Sequence, residues 1–156
     1  MRVLILYETR RGTTLTVARA IRDGIRDRGH TATAAPIREV DAGTVAAADA
    51  VIVGSWTQGM IIAKVGPAAG ALEGIADLPS LDGRPAAVFC TCDVAPLGTL
   101  DILTSRLQRK GAHVVVAHAF TRRKRLAKVP AYVDLVIEEF EALLGAAGTS
   151  RAATGA

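Results

Sequence analysis

The chain contains 156 residues, of which 50% are hydrophobic, and this suits one domain with a substantial core. It has no apolar run near the ~20 residues that a membrane span needs and no A-x-A-like signal cleavage site, so we expect a cytoplasmic protein. The net charge of +4 favours acidic partners, but an aromatic content of only 4% provides few platforms for stacking bases and argues against a nucleic-acid partner.

Five short apolar runs along the chain predict five β-strands. The first run, VLILY, is continuous, as expected for a strand that is covered on both faces. The second run consists of small residues and ends near Pro36, so we expect its strand to lie at an edge of the sheet. The predicted strands are residues 3–7, 31–37, 50–53, 86–90 and 114–119.

The segments between these runs have helical periodicity. In the first segment, which begins near residue 14, Val17, Ile21 and Ile25 recur every four residues, and Gly29 supplies a helix stop. Asp41 is placed to cap a short second helix that ends at residue 48. The other predicted helices are residues 67–76, 99–110 and 130–144.

Two of these segments are weaker than the rest. Gly70 and Gly74 each cost a helix ~1 kcal/mol relative to alanine, so the helix over residues 67–76 is poor. The C-terminal stretch GAAGTSRAATGA has no large apolar side chain to bury. We therefore predict a single domain over residues 1–145 and a disordered tail over residues 146–156.

Strands that alternate with helices predict an α/β fold. Right-handed crossovers then give a five-stranded parallel sheet with helices on both faces. Ligands of such sheets bind at the carboxyl ends of the strands, at a topological switch point. The loops that follow Tyr7, Val53 and Phe89 are therefore the candidate binding loops.

The loop after Tyr7 has the composition of an anion site. Backbone N–H groups at the start of a helix have no partners, and together with the helix dipole they favour an anion. Gly12 permits close approach of the backbone, while Thr9, Thr13 and Thr14 offer hydroxyl donors. The loop matches neither G-x-x-x-x-G-K-[ST] nor G-x-G-x-x-G. The plain alternative is that Thr13 caps the helix and Gly12 turns the chain, and the loop residues alone favour neither.

The stretch ILYETRRGTTLTVARAI resembles the flavodoxin signature, and the chain length and element order resemble short-chain flavodoxins over about residues 1–144. The resemblance implies a flavodoxin-like sheet in the strand order 2-1-3-4-5, FMN as the cofactor, and a phosphate held by residues 9–14. Arg10 and Arg11 depart from the family, which usually neutralises this phosphate without fixed cations; they either grip the phosphate or face solvent. The signature positions are Ile5, Leu6, Tyr7, Thr9, Gly12, Thr14, Ala18 and Ile21.

The loop after Val53, GSWTQGM, resembles that of one branch of flavodoxin-like proteins, and in the family this loop covers one face of the flavin ring. Trp56 is the only tryptophan of a chain poor in aromatics, which favours a ligand contact over a core position. The third loop resembles the family loop around the pyrimidine edge but lacks a second aromatic, so the other ring face is bare or covered by Cys92. We interpret Cys90 and Cys92 as plain thiols, because zinc needs four ligands and a disulfide across one residue would be strained.

The three loops together provide the predicted FMN contacts. No catalytic side chain and no metal site is predicted, because His30, His113 and His118 lie outside these loops and no carboxylate pair or Ser–His–Asp group converges with them. Any chemistry would then belong to the cofactor. The predicted contacts are Thr9, Arg10, Arg11, Gly12, Thr13, Thr14, Ser55, Trp56, Thr57, Gln58, Gly59, Thr91, Cys92 and Asp93.

Three functions are compatible with these features. The leading one is an FMN-binding electron carrier that serves a redox partner protein. The second is an FMN-dependent oxidoreductase, such as a quinone reductase or a protoporphyrinogen dehydrogenase. The phosphate loop of the latter resembles TRRGTT, although its long additional loop is not apparent here. The third is a module without flavin that binds another anion or a partner protein, as the missing second aromatic allows.

Overall fold

The computed structural model describes residues 1–60, 63–123 and 125–154, over which strands and helices alternate along the chain. The strands are β1 Arg2–Tyr7, β2 Thr31–Pro36, β3 Ala50–Met60, β4 Ala63–Pro67, β5 Pro85–Cys92 and β6 His113–Thr121. The helices are α1 Thr13–Asp27, α2 Ala42–Ala47, α3 Ala69–Asp77, α4 Thr99–Arg109 and α5 Val129–Thr154, with a short 3-10 helix at Leu126–Lys128 before α5.

Parallel pairing joins β2, β1, β3, β5 and β6 in that spatial order. Strand β4 lies off this path and pairs with β3 in the antiparallel orientation. Because β5 and β6 are the fourth and fifth parallel strands along the chain, the predicted strand order is confirmed. The predicted edge position of β2 is confirmed as well.

The alternation of side chains along each strand divides the core between the two faces of the sheet. On one face, Ile5 of β1 packs in a cluster with Val17 of α1 and Phe140 of α5. On the other face, Leu6 belongs to a cluster that includes Leu103 of α4 and side chains of α3. Both faces are therefore covered by helices, and a ligand can approach at the ends of the strands.

Residues 54–60, predicted as a loop, form an extension of β3. The strand continues to Met60 and the chain returns as β4, with Gln58 opposite Gly66. An irregular register between Gln58 and Met60 marks a bulge, which bends a strand and strengthens its twist. The loop prediction was wrong because the backbone of this segment forms hydrogen bonds with β4. A strand pairing of this kind cannot be read from the residues of the segment alone.

Helix α3 forms despite its two glycines because both of them allow close packing. A Cβ atom on Gly74 would lie 2.7 Å from a side-chain carbon of Ile37, and one on Gly70 would lie 2.9 Å from the carboxyl carbon of Glu8. Tertiary packing thus offsets the poor helix propensity. The helix starts at Ala69, later than the sequence predicts, because the preceding proline ends β4.

Helix α5 runs to Thr154, past residue 144 where the sequence predicts its end. The added segment is rich in alanine, the best helix former, which explains the continuation. Residues 146–154 are therefore helical where a disordered tail is predicted; residues 155–156 lie outside the described residues, and the domain boundary stays a prediction. Among the described residues, no helix combines the length and apolarity that crossing a membrane requires.

Candidate functional site

A cleft of about 330 Å³ opens at the carboxyl ends of β1, β3 and β5. The turn between β1 and α1, the extension of β3 and the end of β5 form its walls. This is the position that the topology predicts for a ligand. All of its lining residues except Arg125 belong to the predicted contacts. They are Thr9, Arg10, Arg11, Thr13, Thr14, Trp56, Thr57, Thr91, Cys92, Asp93 and Arg125.

The turn from β1 into α1 leaves the first N–H groups of the helix available to a ligand. Gly12 is the N-cap residue, has a left-handed backbone with φ 83°, and no side chain caps the helix. Its N–H donates to Thr9 Oγ1 at 3.1 Å, and its carbonyl accepts the Thr16 N–H at 2.9 Å. The alternative in which Thr13 caps α1 is therefore wrong. The N–H groups of residues 13–15 find no acceptor within the described part of the chain.

Two buried hydroxyl groups join the start of α1 to the end of β5. The Oγ1 atoms of Thr14 and Thr91 lie 2.9 Å apart, and the two residues are only 1% and 3% exposed. Each hydroxyl has one hydrogen and two lone pairs, so the bonded pair keeps one further hydrogen to donate. Because both residues line the cleft, this hydrogen adds to the donors at the start of α1.

Trp56 forms one wall of the cleft. It lies opposite Thr91 in the sheet register and packs, half-buried, against the core cluster of the α3–α4 face. The guanidinium carbon of Arg10 lies 5.8 Å from the centre of the Trp56 ring, within the range of a cation–π contact. Trp56 thus combines a core contact with a position at the cleft. The contact with the Trp56 ring holds the side chain of Arg10 at the cleft.

Both cysteines are free thiols on β5. Cys90 is fully buried, and burial together with the nearby Cys92 raises the pKa of its thiol to about 12. Burial also raises the pKa of the Cys92 thiol, which lines the cleft. Both groups are therefore protonated and unreactive at neutral pH. Within the described part of the chain, no cluster of His, Cys, Asp or Glu side chains could hold a metal ion.

The histidines lie away from the cleft. His30 Nε2 is 3.4 Å from a carboxylate oxygen of Glu141 at the opposite edge of the molecule. His118 packs against Phe120 and Tyr132, and burial lowers the pKa of its imidazole. These contacts support the structural roles expected from the sequence.

Arg125 is the lining residue that sequence analysis missed. It comes from the segment between β6 and α5, and its guanidinium donates to the carbonyls of Phe120 and Cys92, both at 3.3 Å. These bonds bring a side chain from a distant part of the sequence to the edge of the cleft. The run RRKR marks this segment as basic, but no local pattern shows which of its side chains reaches the site.

Four predicted contacts do not line the cleft. Ser55 is fully buried, and its hydroxyl accepts the Ala68 N–H at 3.0 Å, so it joins β3 to the start of α3. Gln58 and Gly59 lie further along β3, close to its end at Met60. Gly12 contributes its backbone conformation to the turn. Contact of Gln58 or Gly59 with a cofactor stays a prediction.

The fold and the cleft define a class: a doubly wound α/β protein with an uncapped helix start and an aromatic wall at the switch point of its sheet. The family model for flavodoxin matches residues 5–130, and the chain belongs to the flavodoxin family. Flavodoxins carry electrons on FMN, so family membership makes this chain an electron-transfer flavoprotein with FMN as its cofactor. The resemblance seen in the β1–α1 signature is confirmed.

Solved flavodoxin structures share the fold over most of the chain. Oxidised flavodoxin 2 from Bacillus cereus is 23% identical and has a TM-score of 0.71, over 90% of this chain and 100% of that one. Flavodoxin from Streptococcus pneumonia TIGR4 is 19% identical with a TM-score of 0.71, over 89% and 99%. Two-electron reduced flavodoxin from Megasphaera elsdenii is 20% identical with a TM-score of 0.67, over 83% and 98%. A comparison with curated protein sequences finds no significant match.

The residues at the cleft fit FMN. The N–H groups of residues 13–15, the Thr14–Thr91 hydroxyl pair and the two arginines of the turn form a donor-rich end that suits a phosphate dianion. The ring of Trp56 offers a flat apolar surface to an aromatic ligand at the same cleft. Donors for an anion and a platform for a ring are thus combined in one site.

Proposed function

We propose that this chain binds FMN in the cleft, with the phosphate on the β1–α1 turn and the flavin ring beside Trp56, and passes electrons to and from a separate redox protein. The proposal assigns no substrate turnover to the protein's own side chains. It places the protein in the cytoplasm, because two free thiols one residue apart fit a reducing compartment.

The observation that carries this proposal is the uncapped start of α1. A helix start whose N–H groups lack partners is stabilised by an anion, and here the first two residues of α1 line a cleft that also contains Arg10 and Arg11. Hydrogen bonds to a charged acceptor contribute roughly 1.5–3 kcal/mol each. The turn therefore favours the phosphate form of the flavin over the uncharged riboflavin.

The chain's own residues bind and orient the cofactor, which supplies one- and two-electron chemistry when bound. Trp56 and Cys92 line the part of the cleft that β3 and β5 contribute, and both present uncharged groups. Arg125 places a positive charge at the edge of the same cleft, where it stabilises any negative charge that the site gains on reduction.

An FMN-dependent oxidoreductase is the alternative that the turn itself favours, because TRRGTT resembles the phosphate loop of protoporphyrinogen-oxidising enzymes. Among the described residues that line the cleft, Asp93 is the one carboxylate, and it is exposed. The site thus offers few groups to transfer protons to a substrate. A module that binds another anion without flavin is the remaining alternative.

Purification followed by a flavin titration separates these functions. We expect yellow protein whose extracted cofactor has the mass of FMN, and apo-protein that quenches FMN fluorescence with a stoichiometry of about one. The reduced protein should be reoxidised by an added one-electron acceptor but should show no steady-state turnover with NADPH and quinones or with protoporphyrinogen. Turnover would favour the enzyme, and failure to bind FMN would favour the flavin-free module.

A further inference from the structure

At the carboxyl edge of the sheet, two segments contain cations that form no ion pair with a carboxylate in the described part of the chain. Two come from the β1–α1 turn, and the others come from the segment between β6 and α5, whose Arg125 reaches the Cys92 carbonyl. The five ion pairs found in the described part of the chain all lie elsewhere. We define this group as the basic rim: Arg10, Arg11, Arg122, Arg123, Arg125 and Lys128.

The basic rim is accessible. All of its members are exposed except Arg125, which is half-buried. A second groove of about 470 Å³ separates the start of α1 from the segment between β6 and α5, and Arg122, Arg125 and Leu126 line it. The rim therefore continues beyond the FMN cleft along an open surface.

Few carboxylates oppose this charge. The described acidic residues just after the carboxyl ends of the strands are Glu8, Glu39, Asp41, Asp93 and Asp101, and of these Glu39 and Asp41 follow β2, at the edge of the sheet opposite β6. The Glu8 carboxyl group lies against Gly70 of α3, where a Cβ atom would be 2.9 Å away. An FMN phosphate adds a charge of about −2. The segment between β6 and α5 contributes four of the six cations and no carboxylate, so positive charge is concentrated on that side of the cleft.

Exposed apolar side chains accompany the basic rim. Among the described residues, the large hydrophobic side chains with most exposure are Val94 at 86%, Leu97 at 52%, Leu126 at 51% and Leu135 at 46%. The first two lie in the loop after β5, and Leu126 lines the second groove. Leu97 also has a φ of 43°, a left-handed conformation that costs a non-glycine residue on the order of 1 kcal/mol. Exposed apolar groups beside unpaired arginines are typical of protein interfaces.

We propose that the basic rim, with Val94, Leu97 and Leu126, docks an acidic electron-transfer protein. This inference rests on the proposed function and names the class of partner. Complementary charge steers such a partner to the cleft mouth and shortens the distance between its redox centre and FMN. A nucleic acid is less suited, because outside the FMN cleft no exposed aromatic side chain among the described residues is available for bases to stack on.

Stopped-flow kinetics with an acidic [2Fe–2S] ferredoxin as electron donor tests the proposal. We expect the second-order rate constant for reduction of the FMN-loaded protein to fall as ionic strength rises. The double variant Arg122→Gln/Arg123→Gln should react about tenfold more slowly at low ionic strength. Its affinity for FMN should stay unchanged, because neither residue lines the FMN cleft.

The matched control is Arg106→Gln/Arg109→Gln, which removes the same charge from the exposed end of α4 that lies farthest from the cleft. Its rate constant should stay within twofold of wild type. Equal losses in the two double variants, or no loss in either, would overturn the proposal. Tighter binding of a single-stranded oligonucleotide or of phosphatidylserine vesicles than of the ferredoxin would also overturn it. If FMN does not bind, the proposed function fails by itself, and calorimetric titration of the flavin-free protein with the ferredoxin still decides whether this surface binds it.

Discussion

At the scale of single residues, Gly12 shows how one backbone conformation prepares the site. Its left-handed φ turns the chain so that α1 begins without a side-chain cap, which leaves the N–H groups of residues 13–15 to a ligand. The Thr14–Thr91 hydroxyl pair then links this turn to β5. The signature residues predicted the turn, because glycine and hydroxyl side chains have local preferences that a sequence records.

Other site residues could not be predicted from local sequence. Arg125 reaches the cleft through bonds to carbonyls of β5 and β6, and this depends on how the strands are placed in the sheet. Ser55 was predicted as a contact because of its loop position, yet its hydroxyl is used inside the fold by the Ala68 N–H. The Ser55 side chain points to the start of α3, whereas Trp56 and Thr57 line the cleft, and local sequence does not distinguish these three neighbours.

The thiol of Cys90 should make the protein sensitive to alkaline pH. Its folded pKa of about 12 lies above the ordinary value of 9.0, so the folded state holds this proton more tightly than the unfolded state does. The resulting stabilisation is fully present below pH 9 and is lost as the pH rises from there towards 12. Urea unfolding at pH 8 and pH 10.5 should therefore show a larger loss of stability for wild type than for Cys90→Ala.

Cys92 and Tyr132 also titrate in the alkaline range, and both are present in wild type and in Cys90→Ala, where burial raises the pKa of each group. Iodoacetamide labelling with mass spectrometry provides a second measurement. Cys90 should remain unlabelled in the native protein at pH 8 and react once urea is added. Equal pH dependence of stability in wild type and Cys90→Ala would contradict the assigned pKa.

At the scale of elements, the buried strands were predictable because continuous apolar runs identify them without tertiary information, whereas their order in the sheet followed from the resemblance to flavodoxins. The β3–β4 hairpin and helix α3 were harder, since each depends on contacts between distant segments. Gly74 weakens α3 locally, yet it permits the helix to approach Ile37 at the end of β2. Gly74 thus lowers the helix propensity of α3 and at the same time allows α3 to pack closely against Ile37.

Replacing Gly74 by alanine should destabilise the protein even though alanine favours helix. The new Cβ atom would lie 2.7 Å and 2.8 Å from two Ile37 carbons, so overpacking should cost roughly 1–3 kcal/mol of unfolding free energy. The matched control is Gly145→Ala in α5, where a new Cβ atom meets nothing within 4 Å. This variant should gain about 0.5–1 kcal/mol of unfolding free energy. Chemical denaturation measures both changes, and a gain in stability for Gly74→Ala would refute the packing described for α3.

At the scale of the whole molecule, the net charge of +4 and the basic rim should raise the reduction potential of the bound flavin above that of an acidic flavodoxin. A unit charge ~10 Å away in water-like surroundings contributes on the order of 20 mV. Removal of Arg125, which lines the cleft, should therefore lower the potential by at least that amount. Arg109→Gln, at the far end of α4, should leave it nearly unchanged.

Potentiometry at low and high ionic strength measures these shifts. The difference between wild type and Arg125→Gln should shrink at high salt, because the charges at the cleft mouth are partly exposed and screened. A potential as negative as that of an acidic flavodoxin at matched ionic strength would show that the basic rim does not act on the flavin.

The most direct test compares the affinities of apo-protein for FMN and for riboflavin, which differ only in the phosphate. Fluorescence quenching should show FMN binding at least ~100-fold tighter, since two charged hydrogen bonds supply about 3 kcal/mol or more. An alanine at residue 12 would meet no steric clash, but its side chain disfavours the φ of 83° in the turn. Gly12→Ala should therefore weaken FMN binding and leave the affinity for riboflavin unchanged. Equal affinities of wild type for the two flavins would contradict phosphate binding by the β1–α1 turn.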